Sequence, residues 1–324
     1  MSKHYNVLIV GGGPAGLYSS IVLKRGIPTS TAVEKIEVGV LEQGIFGGLT
    51  KYGHITISKK WSFSGSNLIA SFCEEAKSLG VDLKENERVL QVIPEPDKVF
   101  VKTEKDEYEA DYVILATGLL SNPDFLKDEN KFTIALHTPE HMMEEINEKR
   151  AKKILLYGPD KKSLEELQFH LLELGVQEVK IKKCSLEEED LWKVEEQISK
   201  EEYLYYDLIM LDYNSYKVCN DSIPRLKIKG LETKNNFCIT DEFGKTNCER
   251  VYAAGTVANV ISGVLMAITS ALVTSLKVGR EISKYTIAEP SGRFPWFPRE
   301  NNWNDSWLKW YESGKMISED DSRM

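Results

Sequence analysis

The sequence lacks several features that would settle its function at once. None of its five cysteines belongs to a Cys-x-x-Cys pair, which excludes a dithiol relay of closely spaced cysteines. No apolar run reaches the roughly 20 residues that span a bilayer, and the first strand follows the N-terminus without a secretory leader. The formal net charge of −9 argues against nucleic acid as a partner. These absences predict a protein of the reducing cytoplasm with no membrane span.

Metal binding is not expected either. His137 and His141 have the spacing of two ligands on one helical face, but Pro139 lies between them and no third ligand is near in sequence. We therefore predict loop or capping roles for both histidines and no metal site.

The first informative pattern is a glycine-rich motif between a strand and a helix. Tyr5–Val10 is a short, β-branched apolar run that is typical of a buried parallel strand. Gly11 and Gly13 then allow a tight turn close to a pyrophosphate, and Gly16 lets the next helix, about Ala15–Lys24, pack against the strand. The N-terminus of that helix offers free N–H groups to phosphate. This pattern predicts a dinucleotide-binding site.

The second strand of such a site ends in an acidic residue that binds ribose. Val38–Glu42 supplies this strand and its acid, somewhat late because of an insertion around Thr29–Glu37. Glu34 is the competing choice. We favour Glu42 because the glycine turn Gly47–Thr50 follows it.

Two later segments extend the pattern. Asp111–Gly118 is an apolar strand that ends in small residues, which allow close approach of a ligand. Residues 238–257 indicate a hairpin leading into a strand that ends at Ala253–Gly255. In this order, the three motifs favour FAD over NAD as the cofactor.

With these motifs the chain resembles the low-molecular-weight thioredoxin reductases, which are flavoproteins with two dinucleotide-binding domains. The resemblance covers about the first 120 residues and residues 236–286. It implies a helix that begins near Ser262 or Gly263 and points at the flavin. The motifs and the resemblance together predict an FAD site formed by Gly11, Gly13, Pro14, Ala15, Gly16, Glu42, Gln43, Gly47, Gly48, Leu49, Val89, Ala116, Thr117, Gly118, Gly255, Thr256, Ala267 and Ile268. Lys51, Tyr52 and His54 have either a flavin-facing or a structural role.

The resemblance implies an α/β fold of two Rossmann-like, three-layer domains. Residues 1–122 and 236–290 would form a discontinuous FAD-binding domain, residues 123–235 a smaller inserted NAD(P)-binding-like domain, and residues 291–324 an aromatic C-terminal tail. Four of the six tryptophans lie in that tail. It would pack on its own subunit or on a dimer mate, or place an aromatic ring of Phe294–Phe297 on the flavin.

Departures from the family pattern carry the functional prediction. Ile134–His141 stands where thioredoxin-reducing members have their Cys-x-x-Cys, and Thr256 stands where the family has an Asp. After the predicted strand Lys153–Tyr157, only Gly158 remains of a second fingerprint, and Pro159 removes an N–H group. The inserted domain is thus expected to keep its fold without its ordinary nucleotide.

We therefore predict an FAD-dependent oxidoreductase with no assignable catalytic residue, a homodimer, and an electron donor such as ferredoxin, a protein thiol or a second flavin. The alternative is a flavin-binding scaffold or redox sensor without turnover. Cys238 and Cys248, which bracket the predicted hairpin, are either a redox pair or buried, unreactive thiols, and the second reading is favoured.

Overall fold

The computed structural model describes residues 3–25, 36–52, 54–58, 61–118, 131–135, 139–184, 198–212, 223, 226–258 and 263–286. Its helices are α1 (Pro14–Arg25), α2 (Gly65–Ser78), α3 (Pro139–Glu148), α4 (Lys161–Glu173), α5 (Lys200–Tyr205) and α6 (Val264–Thr286). Its strands are β1 (Lys3–Val10), β2 (Val38–Leu41), β3 (His54–Ser58), β4 (Trp61–Ser64), β5 (Asp82–Lys84), β6 (Val89–Pro94), β7 (Val99–Thr103), β8 (Glu107–Leu115), β9 (Phe132–Ala135), β10 (Lys153–Gly158), β11 (Glu178–Lys183), β12 (Leu208–Asp212), β13 (Thr233–Lys234), β14 (Phe237–Cys238) and β15 (Val251–Ala253). The mixed α/β architecture is the predicted fold class.

The larger sheet has the strand order β5-β2-β1-β8-β7-β6. β1 lies between β2 and β8 and is parallel to both, while β6 and β7 form an antiparallel extension. β15 is parallel to the last three residues of β8. Because β1, β2, β8 and β15 all run the same way, their carboxyl ends meet at one edge of the sheet.

Burial on both faces explains why these segments are strands without alternation of apolar and polar residues. All four residues of β2 are buried, as are the last four of β1 and of β8. Helices α1 and α6 contribute Leu17, Ile21, Ala271 and Val278 to the core on one face of the sheet. The predicted helix that starts near Gly263 is confirmed as α6.

The smaller sheet is entirely parallel, with the order β11-β10-β12-β9. Ile154 and Leu156 of β10 are fully buried and pack with Leu164 and Leu171 of α4. β10 and α4 confirm the predicted strand–helix unit, and the domain bounds stay a prediction.

The predicted hairpin over residues 238–257 was only partly right. β14 forms an antiparallel pair with the preceding strand, β13, so that Cys238 lies opposite Thr233 and not opposite Cys248. The side chain of Asp241 accepts hydrogen bonds from the backbone amides of Phe243 and Lys245, which closes a side-chain-bonded turn in place of a continuous ladder. One isolated bridge, between Lys245 and Tyr252, joins the two sides. The predicted strand that ends at Ala253 is confirmed.

Two features are absent from the residues that the structure describes. Within that part of the chain, no helix combines the length and apolar character that a membrane crossing requires. The same residues contain no group of three or more His, Cys, Asp or Glu side chains that would hold a metal ion.

Candidate cofactor-binding site

Four loops meet where the parallel strands end. The amide of Gly11 donates to the carbonyl of Leu41 at 2.8 Å, that of Ala116 to Val10 at 2.8 Å, and that of Ala254 to Leu115 at 2.9 Å. The segments that follow β1, β2, β8 and β15 are thereby joined side by side. Open α/β sheets bind their ligands outside such an edge.

The glycines of the first loop meet specific steric demands. Gly11 has a φ of 107°, and a Cβ there would lie 2.7 Å from the carbonyl carbon of Ala116. A Cβ on Gly16 would be closer than 3.0 Å to the carbonyl oxygen of Gly11. A side chain on Gly11 would separate the loop after β1 from the end of β8, and one on Gly16 would push α1 away from that loop, which is the structural reason for glycine at both.

Gly13 is different, because a Cβ there would meet no protein atom within 4 Å. Its backbone lies just before α1, whose first residue, Pro14, needs no amide partner at a helix N-terminus. On the opposite side, a Cβ on Gly48 would lie 3.7 Å from the Cα of Gly13. Open backbone at a helix N-terminus, between two glycine turns, fits the pyrophosphate of a dinucleotide.

Glu42 follows β2 directly and is buried. Its carboxylate accepts hydrogen bonds from the amides of Gly12 at 2.7 Å and Gly44 at 3.0 Å. Burial raises the pKa of this carboxyl group, and the backbone hydrogen bonds oppose that rise. An acid held against the fingerprint loop is suited to bind ribose hydroxyl groups. The competing candidate, Glu34, lies outside the described residues.

The fourth loop joins the site to α6. A Cβ on Gly255 would be 2.7 Å from the Cβ of Ala15, and the Gly255 amide donates to the Ser270 hydroxyl at 3.1 Å. Thr256 is half-buried in the short 3-10 helix Gly255–Ala258. Ala267 is buried and Ile268 half-buried on the first turns of α6. The structure thus brings α1, α6 and this turn together.

The other predicted site residues fall into two groups. Near the strand ends lie Gln43, Gly47, Leu49, Thr117 and Gly118. Val89 opens β6 and is buried in the core on the β6–β8 side of the sheet. Its link to the site is through Glu87, whose amide donates to the carbonyl of Glu42 at 2.8 Å.

Sequence reasoning missed Phe46 and Glu85. A Cβ on Gly12 would lie 2.6 Å from the Cε1 atom of Phe46, and the carboxylate of Glu85 accepts a hydrogen bond from the Phe46 amide. The available signal was an aromatic residue inside a glycine-rich turn, immediately before Gly47.

The second strand–helix unit has a different N-terminus. After β10, the side chain of Asp160 caps α4 by accepting a 2.9 Å hydrogen bond from the amide of Lys162. This carboxylate therefore occupies the position at which a bound phosphate would accept hydrogen bonds from the amides of the first turn of α4. β11 ends in Lys182 and Lys183, and Lys182 forms an ion pair with Glu202.

The described cysteines are free thiols, and three of them are buried. Burial raises the pKa of Cys238 to about 12 and also raises the pKa of Cys248. Cys219, the residues of the C-terminal tail and the side chains of Tyr52 and His54 lie outside what the structure describes. Lys51 is half-buried in the 3-10 helix that follows Gly47.

This chain resembles known proteins both in the sequence around its glycine-rich motif and in its fold. Residues 5–159 match the family model of pyridine nucleotide-disulphide oxidoreductases. The ferredoxin–NADP reductase of Ignicoccus hospitalis is 29% identical over 136 residues, which cover 41% of this chain and 42% of that protein. The ferredoxin–NADP reductase of Pediococcus pentosaceus is 24% identical over 119 residues, which cover 36% of this chain and 35% of that protein. These matches thus span less than half the length of either relative.

Solved structures extend the likeness to most of the chain. A thioredoxin reductase from Streptococcus pyogenes aligns over 88% of this chain and 100% of its own, at a TM-score of 0.55 and 15% identity. Thioredoxin reductase from T. acidophilum aligns over 87% of this chain and 99% of its own, at a TM-score of 0.54 and 17% identity. The family model thus matches just under half of the chain, and the chain shares its overall fold with thioredoxin reductases.

Proposed function

We propose that the chain is an FAD-dependent oxidoreductase whose flavin is reduced by a protein electron donor, such as reduced ferredoxin, and not by NAD(P)H bound in the inserted domain. The observation that carries this proposal is the N-terminus of α4, which combines Pro159, the capping carboxylate of Asp160 and a first turn without glycine. The FAD site itself is assigned to the four loops that follow β1, β2, β8 and β15.

The inserted domain opposes dinucleotide binding in three ways. Pro159 offers no amide, and Asp160 uses the Lys162 amide while placing a negative charge where phosphate would lie. The first turn of α4 consists of Lys161, Lys162 and Ser163, where a nucleotide-binding loop would have glycines. Their side chains keep a pyrophosphate from approaching the backbone of the turn closely. A pyrophosphate would therefore meet repulsion and fewer donors at this position.

A thiol route is also disfavoured. The chain has no Cys-x-x-Cys, and the thiolate, which is the reactive form, is suppressed by burial at Cys238 and Cys248. We infer that the flavin passes electrons directly to its acceptor. Ferredoxin is favoured as the donor because two relatives of this chain are ferredoxin–NADP reductases.

A second candidate is an NADP-linked reaction with ferredoxin, the activity named for those same relatives. Lys183 at the end of β11 is exposed and stands near the position at which such domains bind a 2′-phosphate. We further propose a cytoplasmic homodimer, with no nucleic-acid or membrane partner.

An anaerobic titration of the FAD-loaded protein separates these possibilities. Reduced ferredoxin, NADPH and NADH are added in turn while the flavin absorption near ~450 nm is followed. We expect bleaching by ferredoxin alone. Rapid bleaching by NADPH would replace the proposal with the NADP-linked candidate, and no bleaching by any donor would favour a flavin-binding scaffold or sensor.

A further inference from the structure

Phe46 fills the space beside Gly12 in the fingerprint loop. Its side chain is 8% exposed and belongs to the core formed with Ile69 and α1. A Cβ on Gly12 would come within 2.6 Å of the ring atom Cε1 of Phe46 and 2.9 Å of the Cβ of Glu42. The loop after β1 is therefore packed directly against the segment that follows β2.

The same segment is hydrogen-bonded to Gly12 on both sides of Phe46. The Gly12 amide donates to the carboxylate of Glu42 at 2.7 Å. The Gly12 carbonyl accepts from the amide of Gly47 at 2.9 Å. The backbone amide and the carbonyl of Gly12 thus both form hydrogen bonds with the segment Glu42–Gly47. The distance between Gly13 and Gly48 therefore depends on the position of that segment.

A third loop, between β5 and β6, holds the segment from outside. The carboxylate of Glu85 accepts a 3.0 Å hydrogen bond from the amide of Phe46. The amide of Asn86 donates to Gly44 at 2.9 Å, and that of Glu87 donates to Glu42 at 2.8 Å. Of these three bonds, only that of Glu85 depends on a side chain, and it acts at Phe46.

We propose that Phe46 and Glu85 are positioning residues for FAD: together they fix the distance between the Gly12–Gly13 loop and the Gly47–Gly48 turn. The inference rests on the assignment of FAD to this edge of the sheet. Neither residue needs to touch the cofactor, because preorganised binding loops spare the ordering cost of binding.

The test compares FAD affinity with the stability of the apoprotein. FAD binding to Phe46→Leu, Glu85→Ala and Glu85→Gln is measured by flavin fluorescence, and the melting temperature of each apoprotein is recorded. We expect Phe46→Leu and Glu85→Ala to weaken FAD binding by about tenfold, since the loops must then be ordered by the ligand. Glu85→Gln retains an oxygen acceptor and should bind FAD within about threefold of the wild type.

Tyr157→Leu is the matched control, because Tyr157 is a fully buried aromatic residue on β10 of the smaller sheet. It should lower the melting temperature without weakening FAD binding. Unchanged affinity in both Phe46→Leu and Glu85→Ala would overturn the proposal, as would an equal loss of affinity in the control. Failure of the wild type to bind FAD would instead remove the site assignment itself.

A double-mutant cycle gives a second readout. Gly12→Ala places a Cβ against the Phe46 ring and should weaken FAD binding. In the Phe46→Val background, part of that loss should disappear because the ring that the Cβ meets is gone. An identical cost of Gly12→Ala in both backgrounds would show that Phe46 does not set the position of the loop.

Discussion

The carbonyl group of Gly11 lies in the space that a side chain on Gly16 would need, with its carbon atom 3.1 Å from the Cβ position and its oxygen atom closer still. Because both atoms belong to backbone, neither moves without shifting α1 or the end of β1. Gly16→Ala should therefore destabilise the apoprotein by about 2 kcal/mol, the usual scale of overpacking. Chemical denaturation of the apoprotein measures this change, and an unaltered midpoint would contradict the close contact.

Gly13→Ala should have the opposite profile. The added Cβ meets no protein atom within 4 Å, so the unfolding free energy of the apoprotein should change by less than about 0.5 kcal/mol. FAD affinity should fall by at least about tenfold, because the methyl group enters the approach to the fingerprint backbone. Gly16→Ala serves as the comparison. If FAD binds Gly13→Ala as tightly as the wild type, the cofactor does not lie over this residue.

Asp160→Ala should remove the N-cap of α4 at a cost of about 1 kcal/mol. Ser199→Ala is its matched control, since Ser199 caps α5 by the same kind of bond to the amide of Glu202. Both variants should lose stability in thermal unfolding. Neither should gain reduction of the flavin by NADPH, because Pro159 and the absent glycines remain. A gain specific to Asp160→Ala would mean that the carboxylate alone blocks the nucleotide.

The buried thiols should be unreactive in the folded protein. With its pKa raised to about 12 by burial, Cys238 is a thiolate in only roughly one molecule in ten thousand at pH 8. Alkylation by iodoacetamide, followed by mass spectrometry, should label Cys238 and Cys248 slowly before denaturation and fully after it. Half-buried Cys73 should react before either of them. Fast native labelling of Cys238 would revive the redox-pair interpretation.

Local patterns were sufficient to predict much of the fold. Gly11–Gly16 follows an apolar strand, and Lys153–Gly158 precedes an amphipathic helix, so that each unit is specified within about 20 residues. The position of Glu42 after β2 was also recognisable, despite the preceding insertion, because a glycine turn follows it.

Contacts that depend on tertiary structure were not predictable. The pairing of β14 with β13 is an exception, because the two-residue turn Asn235–Asn236, with both residues at positive φ, is a local signal that the sequence analysis overlooked. The packing of Phe46 on Gly12 joins two loops that are more than 30 residues apart and depends on a third loop carrying Glu85. No local periodicity reports such a contact, because each loop alone is compatible with many positions.

NAD(P)H should not reduce the flavin of this protein through the inserted domain. The most direct measurement is single-turnover mixing of the FAD-loaded protein with increasing NADPH under anaerobic conditions, followed at the flavin absorption band. We expect slow reduction whose rate rises linearly with the NADPH concentration and never saturates, whereas reduction by ferredoxin is fast. A fast rate that saturates with NADPH would reveal a bound nucleotide complex and overturn the proposed function.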